Sequence, residues 1–142
     1  MSKSELLNFA SEQLKELGYR GKILDDSSVG SAASGLKFII SIYDGSIQLS
    51  CIFNKSDEDG FEDQLIRANN FNKEIRFSSL YVNDDGDLVL EAHWLLDPAD
   101  ENARKTFGAI MDILELALDE VKGRIWRTKR GTGLGNDEGD AS

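Results

Sequence analysis

Leu36-Lys37-Phe38-Ile39-Ile40-Ser41-Ile42-Tyr43-Asp44-Gly45-Ser46-Ile47-Gln48-Leu49-Ser50-Cys51-Ile52-Phe53 is the stretch that decides the fold. Before the Asp-Gly pair, Leu36, Phe38, Ile40 and Ile42 share one face. After it, Ile47, Leu49, Cys51 and Phe53 alternate with Ser46, Gln48 and Ser50. Asp-Gly between two alternating runs is a strong hairpin signal, because glycine reaches the positive φ of a two-residue turn without strain. Clean alternation gives each strand one buried and one wet face, as in an antiparallel sheet. Cys51 falls on the buried side and reads as a small hydrophobe rather than a catalytic thiol.

On the N-terminal side, a possible short strand covers Ile23 to Asp25. Before it, Leu6, Leu7, Phe9, Ala10, Leu14 and Leu17 recur at helical spacing. Ser2 and Glu5 have capping-box spacing, and Gly18 is placed to end the helix in a left-handed conformation. On the C-terminal side, the polar loop from Asn54 to Gly60 leads into a short helix from about Phe61 to Asn70, with Phe61, Leu65, Ile66 and Ala68 as its apolar positions. A second hairpin follows. Ile75, Phe77 and Tyr81 mark one strand, Leu88, Leu90, Ala92, Trp94 and Leu96 its partner, and Asn83-Asp84-Asp85-Gly86-Asp87 the tip.

A long helix closes the pattern. Asp97 is read as its cap, Pro98 as its first residue, and Asp100 and Glu101 as complements to its positive end. Ala103, Phe107, Ile110, Leu114, Ala117 and Val121 form one apolar line. Met111, Leu118 and Ile125 form a second, and Ile113 and Leu116 widen it. One sheet in a monomer needs only a stripe of about 100°, so the excess implies deep burial or a partner subunit. The predicted fold is α+β: an antiparallel sheet of about four to five strands against an N-terminal helix and a long C-terminal helix, with a short helix between two hairpins. Residues 1–127 form a single domain and 128–142 a flexible, glycine-rich acidic tail that cannot bury enough surface to order itself.

The chain has 142 residues, a net charge of −10, and 40% hydrophobic and 30% charged residues, the balance of one folded domain. Nucleic acid is disfavoured as a partner, since phosphate binding needs concentrated positive charge. The basic cluster Lys122, Arg124, Arg127, Lys129 and Arg130 is read as cations complementing a helix C-terminus. No run is long and apolar enough for a membrane span. The opening Met1-Ser2-Lys3-Ser4-Glu5 lacks signal-peptide character, and a single cysteine excludes internal disulfides. The expected setting is therefore cytoplasmic, without a membrane partner.

No catalytic, cofactor-binding or metal residue is predicted. His93 lies on the face opposite Leu90, Ala92 and Trp94, with Glu91 as a cross-strand type of neighbour, and reads as a surface or interface histidine. Asp84, Asp85 and Asp87 lack the glycine and glutamate positions of a calcium loop, and a turn accounts for them. Gly131-Thr132-Gly133-Leu134-Gly135 does not join a strand to a helix, as a phosphate loop must.

The segment Ala68-Asn69-Asn70-Phe71-Asn72, then Arg76-Phe77, then Tyr81, then Asp84-Asp85-Gly86-Asp87-Leu88-Val89-Leu90-Glu91 resembles the signature of the YbjN-type domain family, described as bacterial sensory transduction regulators. Phe71 departs from the family's usual tryptophan, and the acidic glycine-rich tail is not a family feature. The order of elements agrees over about residues 4–126. The family is similar in fold to class I type III secretion chaperones, small acidic proteins, commonly homodimers, that bind an extended client segment. The resemblance implies a non-enzymatic protein-binding role, chaperone-like or regulatory, with a homodimer and a protein or peptide client expected. A small-ligand sensor with a pocket between the long helix and the sheet is the alternative. The motif residues also have structural uses: Asn69, Asn70 and Asn72 as caps and turn residues, and Arg76 as a partner for Glu91 or Asp87.

Overall fold

The computed structural model describes residues 2–75 and 77–134, with side chains described as far as Ile125. The elements run α1 (Lys3–Glu16), β1 (Lys22–Asp25), β2 (Ser28–Ala33), β3 (Leu36–Tyr43), β4 (Ser46–Phe53), α2 (Phe61–Glu74), β5 (Ser79–Val82), β6 (Leu88–Leu95) and α3 (Ala103–Leu134). The sheet is antiparallel and six-stranded, in the order β1-β2-β3-β4-β6-β5. This is the α+β architecture expected, with one strand more. β2 carried no hydrophobic alternation to announce it: its Ser-Val-Gly-Ser-Ala-Ala is held by pairing with β3 along its whole length.

The deciding hairpin forms as read. Tyr43 pairs with Ser46 across the turn, and Gly45 has φ +75°. Phe38, Ile40, Ile42, Ile47, Leu49, Cys51 and Phe53 are buried on one face. α1 is capped as expected: Ser2 Oγ accepts from the Glu5 N–H at 3.2 Å, and Glu5 Oε1 accepts from the Ser2 N–H at 3.1 Å. At its other end Gly18 adopts φ +94°, and the N–H groups of Gly18 and Tyr19 donate to the carbonyls of Lys15 and Leu14. That double bond pattern consumes orphan carbonyls of the last turn.

Three boundaries differ from the sequence reading. α2 continues to Glu74, so Ile75 caps it rather than starting a strand, and β5 begins only at Ser79. α3 begins at Ala103, not Pro98. Asp97 Oδ1 accepts from the Ala99 N–H at 2.9 Å and Asp100 Oδ1 from the Asn102 N–H at 2.8 Å, so both aspartates build side-chain turns ahead of the helix.

A further difference concerns the apolar surplus. Ala103, Phe107, Ile110, Met111, Leu114, Ala117, Leu118 and Val121 are all buried within the chain itself, and all but Ala103 share one core with α1 and the inner face of the sheet. The wide stripe needs no second subunit, because α1 and the sheet both pack against it. Of the residues thought to widen it, Leu116 is exposed and Ile113 half-buried. The space between α3 and the sheet, where a ligand was the alternative expectation, is filled by these side chains. Of the C-terminal segment 128–142, the backbone is helical to Leu134 and 135–142 lie outside the described residues.

Candidate protein-binding surfaces

α2 is turned the other way. Of its apolar positions, Phe61 is 57% exposed, Leu65 46% and Ile66 56%, whereas Gln64 and Arg67 are 1% and 5% exposed. Only Ala68 and Phe71 bring apolar surface to the core. Burying an arginine is costly unless it is paired and hydrogen-bonded. Here it is both: Arg67 Nη1 donates to Asp59 Oδ1 at 2.8 Å and to Gln64 Oε1 at 2.7 Å. Gln64 Nε2 donates onward to the Gly86 carbonyl at 2.9 Å, and Asp59 accepts from the N–H and hydroxyl of Ser56. Burial alone would raise the Asp59 carboxyl, but the Ser56 N–H and the Arg67 guanidinium outweigh it and hold it at about 2. The network fastens α2 to the loop before it and to the β5–β6 turn, which fixes the apolar residues outward.

Asn72, on the same helix, clamps the sheet edge. Its Nδ2 donates to the Leu80 carbonyl at 2.8 Å, and its Oδ1 accepts from the Leu80 N–H at 2.9 Å. The side-chain amide thus mimics a neighbouring strand and occupies the middle of β5's outer edge. The other edge, β1, is exposed along its whole length and carries half-exposed Ile23 and Leu24. Arg124 joins α2 to α3: it bonds Glu74 at 2.5 Å and Glu120 at 3.0 Å and lies 5.8 Å from the centre of the Phe71 ring. Lys122 donates to the Ser34 carbonyl at 2.7 Å. The described part of the basic cluster is therefore used inside the fold.

The helices share one core with one face of the sheet. The other face displays Ile39, Tyr43, Ile52, Tyr81 and Leu95, all exposed, among Ser41, Gln48, Ser50, Glu91 and His93. Across it Tyr81 Oη donates to Glu91 at 2.8 Å and Tyr43 Oη to Gln48 Oε1 at 3.2 Å. His93 stands opposite Gln48 on this face, as expected, and borders a small recess with Phe77, Ser78, Ser79 and Glu91. A larger groove of about 580 Å³ opens at the β1–β3 end, with Arg20, Lys22, Leu24, Gly30, Lys37 and Ile39 among its walls.

The residues weighed for chemistry are dispersed. Cys51 is buried and its thiol pushed up to about 11 by burial, which removes its nucleophilicity. At the acidic tip, Asn83 Oδ1 accepts from the Asp85 and Asp87 N–H groups, and Asp87 accepts from the Lys55 N–H at 2.8 Å. Among the described residues there is no cluster of three or more metal-ligating side chains, and no helix is long and apolar enough to cross a membrane. Arg76, expected to pair across the second hairpin, lies outside the described residues.

No protein-family model matches the chain, and no curated protein matches it. Solved structures do. The crystal structure of YbjN from E. coli, described as a proposed transcription regulator, superposes with a TM-score of 0.62, at 11% identity, over 85% of this chain and 93% of that one. The chain has a YbjN-like fold. A weaker likeness, with a TM-score of 0.41 at 19% identity over 80% of this chain and 86% of the other, is to the heterodimeric ExoU–SpcU complex of the Pseudomonas aeruginosa type III secretion system. The YbjN-like fold agrees with the resemblance read from residues 68–91 and covers 85% of the chain. Sequence reasoning missed the inverted helix and the cations of the groove; the signal available for the first was the i, i+3, i+4, i+7 spacing of Gln64, Arg67, Ala68 and Phe71.

Proposed function

We propose that this chain is a non-enzymatic protein-binding module, chaperone-like or regulatory, that works as a homodimer and engages a protein client on its bare sheet face. One observation carries the reading: α2 buries Gln64 and Arg67 while presenting Phe61, Leu65 and Ile66 to solvent. A lone helix on a sheet gains most free energy by turning its apolar side inward. A fold that instead commits a buried ion pair to hold the opposite orientation keeps an apolar stripe available for another polypeptide. The residues at i, i+4 and i+5 make a short ridge suited to packing against the same ridge of a second copy around a two-fold axis. The uncovered sheet face then remains free for the client.

Light scattering after gel filtration tests the dimer. The wild-type chain is expected at twice its 15.7 kDa mass, and the Leu65→Asp/Ile66→Asp double variant at the single-chain mass with an unchanged circular dichroism spectrum. A wild-type protein that runs at one chain mass at micromolar concentration rejects the homodimer.

A further inference from the structure

Resting on the protein-binding reading, we propose that the groove over β1–β3 is the docking site for an acidic, apolar-alternating extended segment of the client. Gly30 and Ala32 sit in register with Ile39 and Lys37, and Gly30 also with Lys22. The two small residues leave a trough between larger neighbours. Leu24 leans across Gly30 so closely that a Cβ there would meet its Cδ1 at 3.2 Å. The floor is thus apolar, of Leu24, Gly30, Ala32 and Ile39, and Arg20, Lys22 and Lys37 stand around it.

The charge is what selects the occupant. The protein carries 26 acidic and 16 basic residues, and of the arginines whose side chains are described Arg67, Arg104 and Arg124 each bind a carboxylate while Arg20 does not. Arg20, Lys22 and Lys37 are exposed and make no ion pair among the described residues. Three unneutralised cations gathered on one apolar trough, in a chain this acidic, complement carboxylates presented by a partner. A chain laid extended along the trough beside the β1 edge turns alternate side chains down into it, while the long side chains of Arg20, Lys22 and Lys37, standing at the rim of that same face, reach the carboxylates between them.

Fluorescence anisotropy with a labelled peptide of alternating leucine and glutamate tests this. Wild-type protein is expected to bind it, less tightly as salt rises, and Lys22→Glu/Lys37→Glu to weaken binding at least about tenfold. That variant should keep the wild-type mass on light scattering, because α2 is untouched. Four results overturn the proposal: no binding by a wild-type protein that is dimeric, equal binding of a peptide with lysine in place of glutamate, an unchanged affinity in the variant, or amide shifts in residues 20–39 on deleting 135–142, which would place the chain's own acidic end in the groove. A monomeric wild type removes the homodimer instead, so the two failures are distinguishable.

Discussion

α2 and α3 are both amphipathic, and most of their apolar residues are used in opposite ways. α3 places Phe107, Ile110, Leu114, Leu118 and Val121 in the core and leaves mostly polar residues outside. α2 places Gln64 and Arg67 inside and Phe61, Leu65 and Ile66 outside. The first is held by burial of hydrocarbon, the second by a polar network that has to be complete to be tolerable. Burial and exposure of apolar surface are thereby divided between the two helices. The apolar surplus read on α3 is buried within the chain, and the exposed apolar stripe lies on the shorter helix.

The contrast can be broken at its most stable point first. Phe107→Ala empties a completely buried position on α3 and is expected to cost about 3–5 kcal/mol, read as a lower urea midpoint with the slope unchanged. Arg67→Met attacks the other principle: it leaves Asp59 and Gln64 buried without their cation and should cost about 3 kcal/mol. If Arg67→Met proves neutral or stabilising, the network is not what holds α2 in its inverted orientation.

The same pair predicts a response to acid. The folded Asp59 carboxyl is lowered from 3.8 to about 2, so its contribution is present above the unfolded value and disappears as pH falls from about 4 towards 2. A shift of this size corresponds to roughly 2 kcal/mol. Urea midpoints measured between neutral pH and pH 3 should fall more for the wild type than for an Asp59→Asn variant, and parallel curves would exclude the assignment. Asn72→Ala removes two bonds to Leu80 on a partly wet edge and is expected to cost about 1–2 kcal/mol, with faster amide exchange confined to β5. Smallest of all, Leu65→Asp should change the stability of the isolated chain by under about 0.5 kcal/mol, even though it removes self-association. A large loss of monomer stability would mean that Leu65 belongs to the core after all.

Much of this architecture was legible from local chemistry. The Asp-Gly hairpin, the Ser2–Glu5 capping box, Gly18 and the period-two faces of β3, β4 and β6 each depend on residues near one another in the chain, and each appears where it was expected. β2 was not legible, because serine, glycine and alanine carry no periodic signal and the strand exists through its partner β3. The start of α3 was misplaced for a related reason: Asp97 and Asp100 can cap a helix or close a turn, and the two uses share one pattern.

By itself, then, the sequence determined the fold class, the two hairpins, the capped first helix and the resemblance carried by residues 68–91. Only the tertiary structure decided which stripe of α2 faces inward, since Phe61-Leu65 and Gln64-Arg67-Phe71 are each spaced for one helical face. The choice is made by Asp59 and by the Gly86 carbonyl, whose positions relative to α2 are set by the loop before it and by a distant hairpin. Helical spacing records which residues share a face; what that face meets is a property of the packed chain.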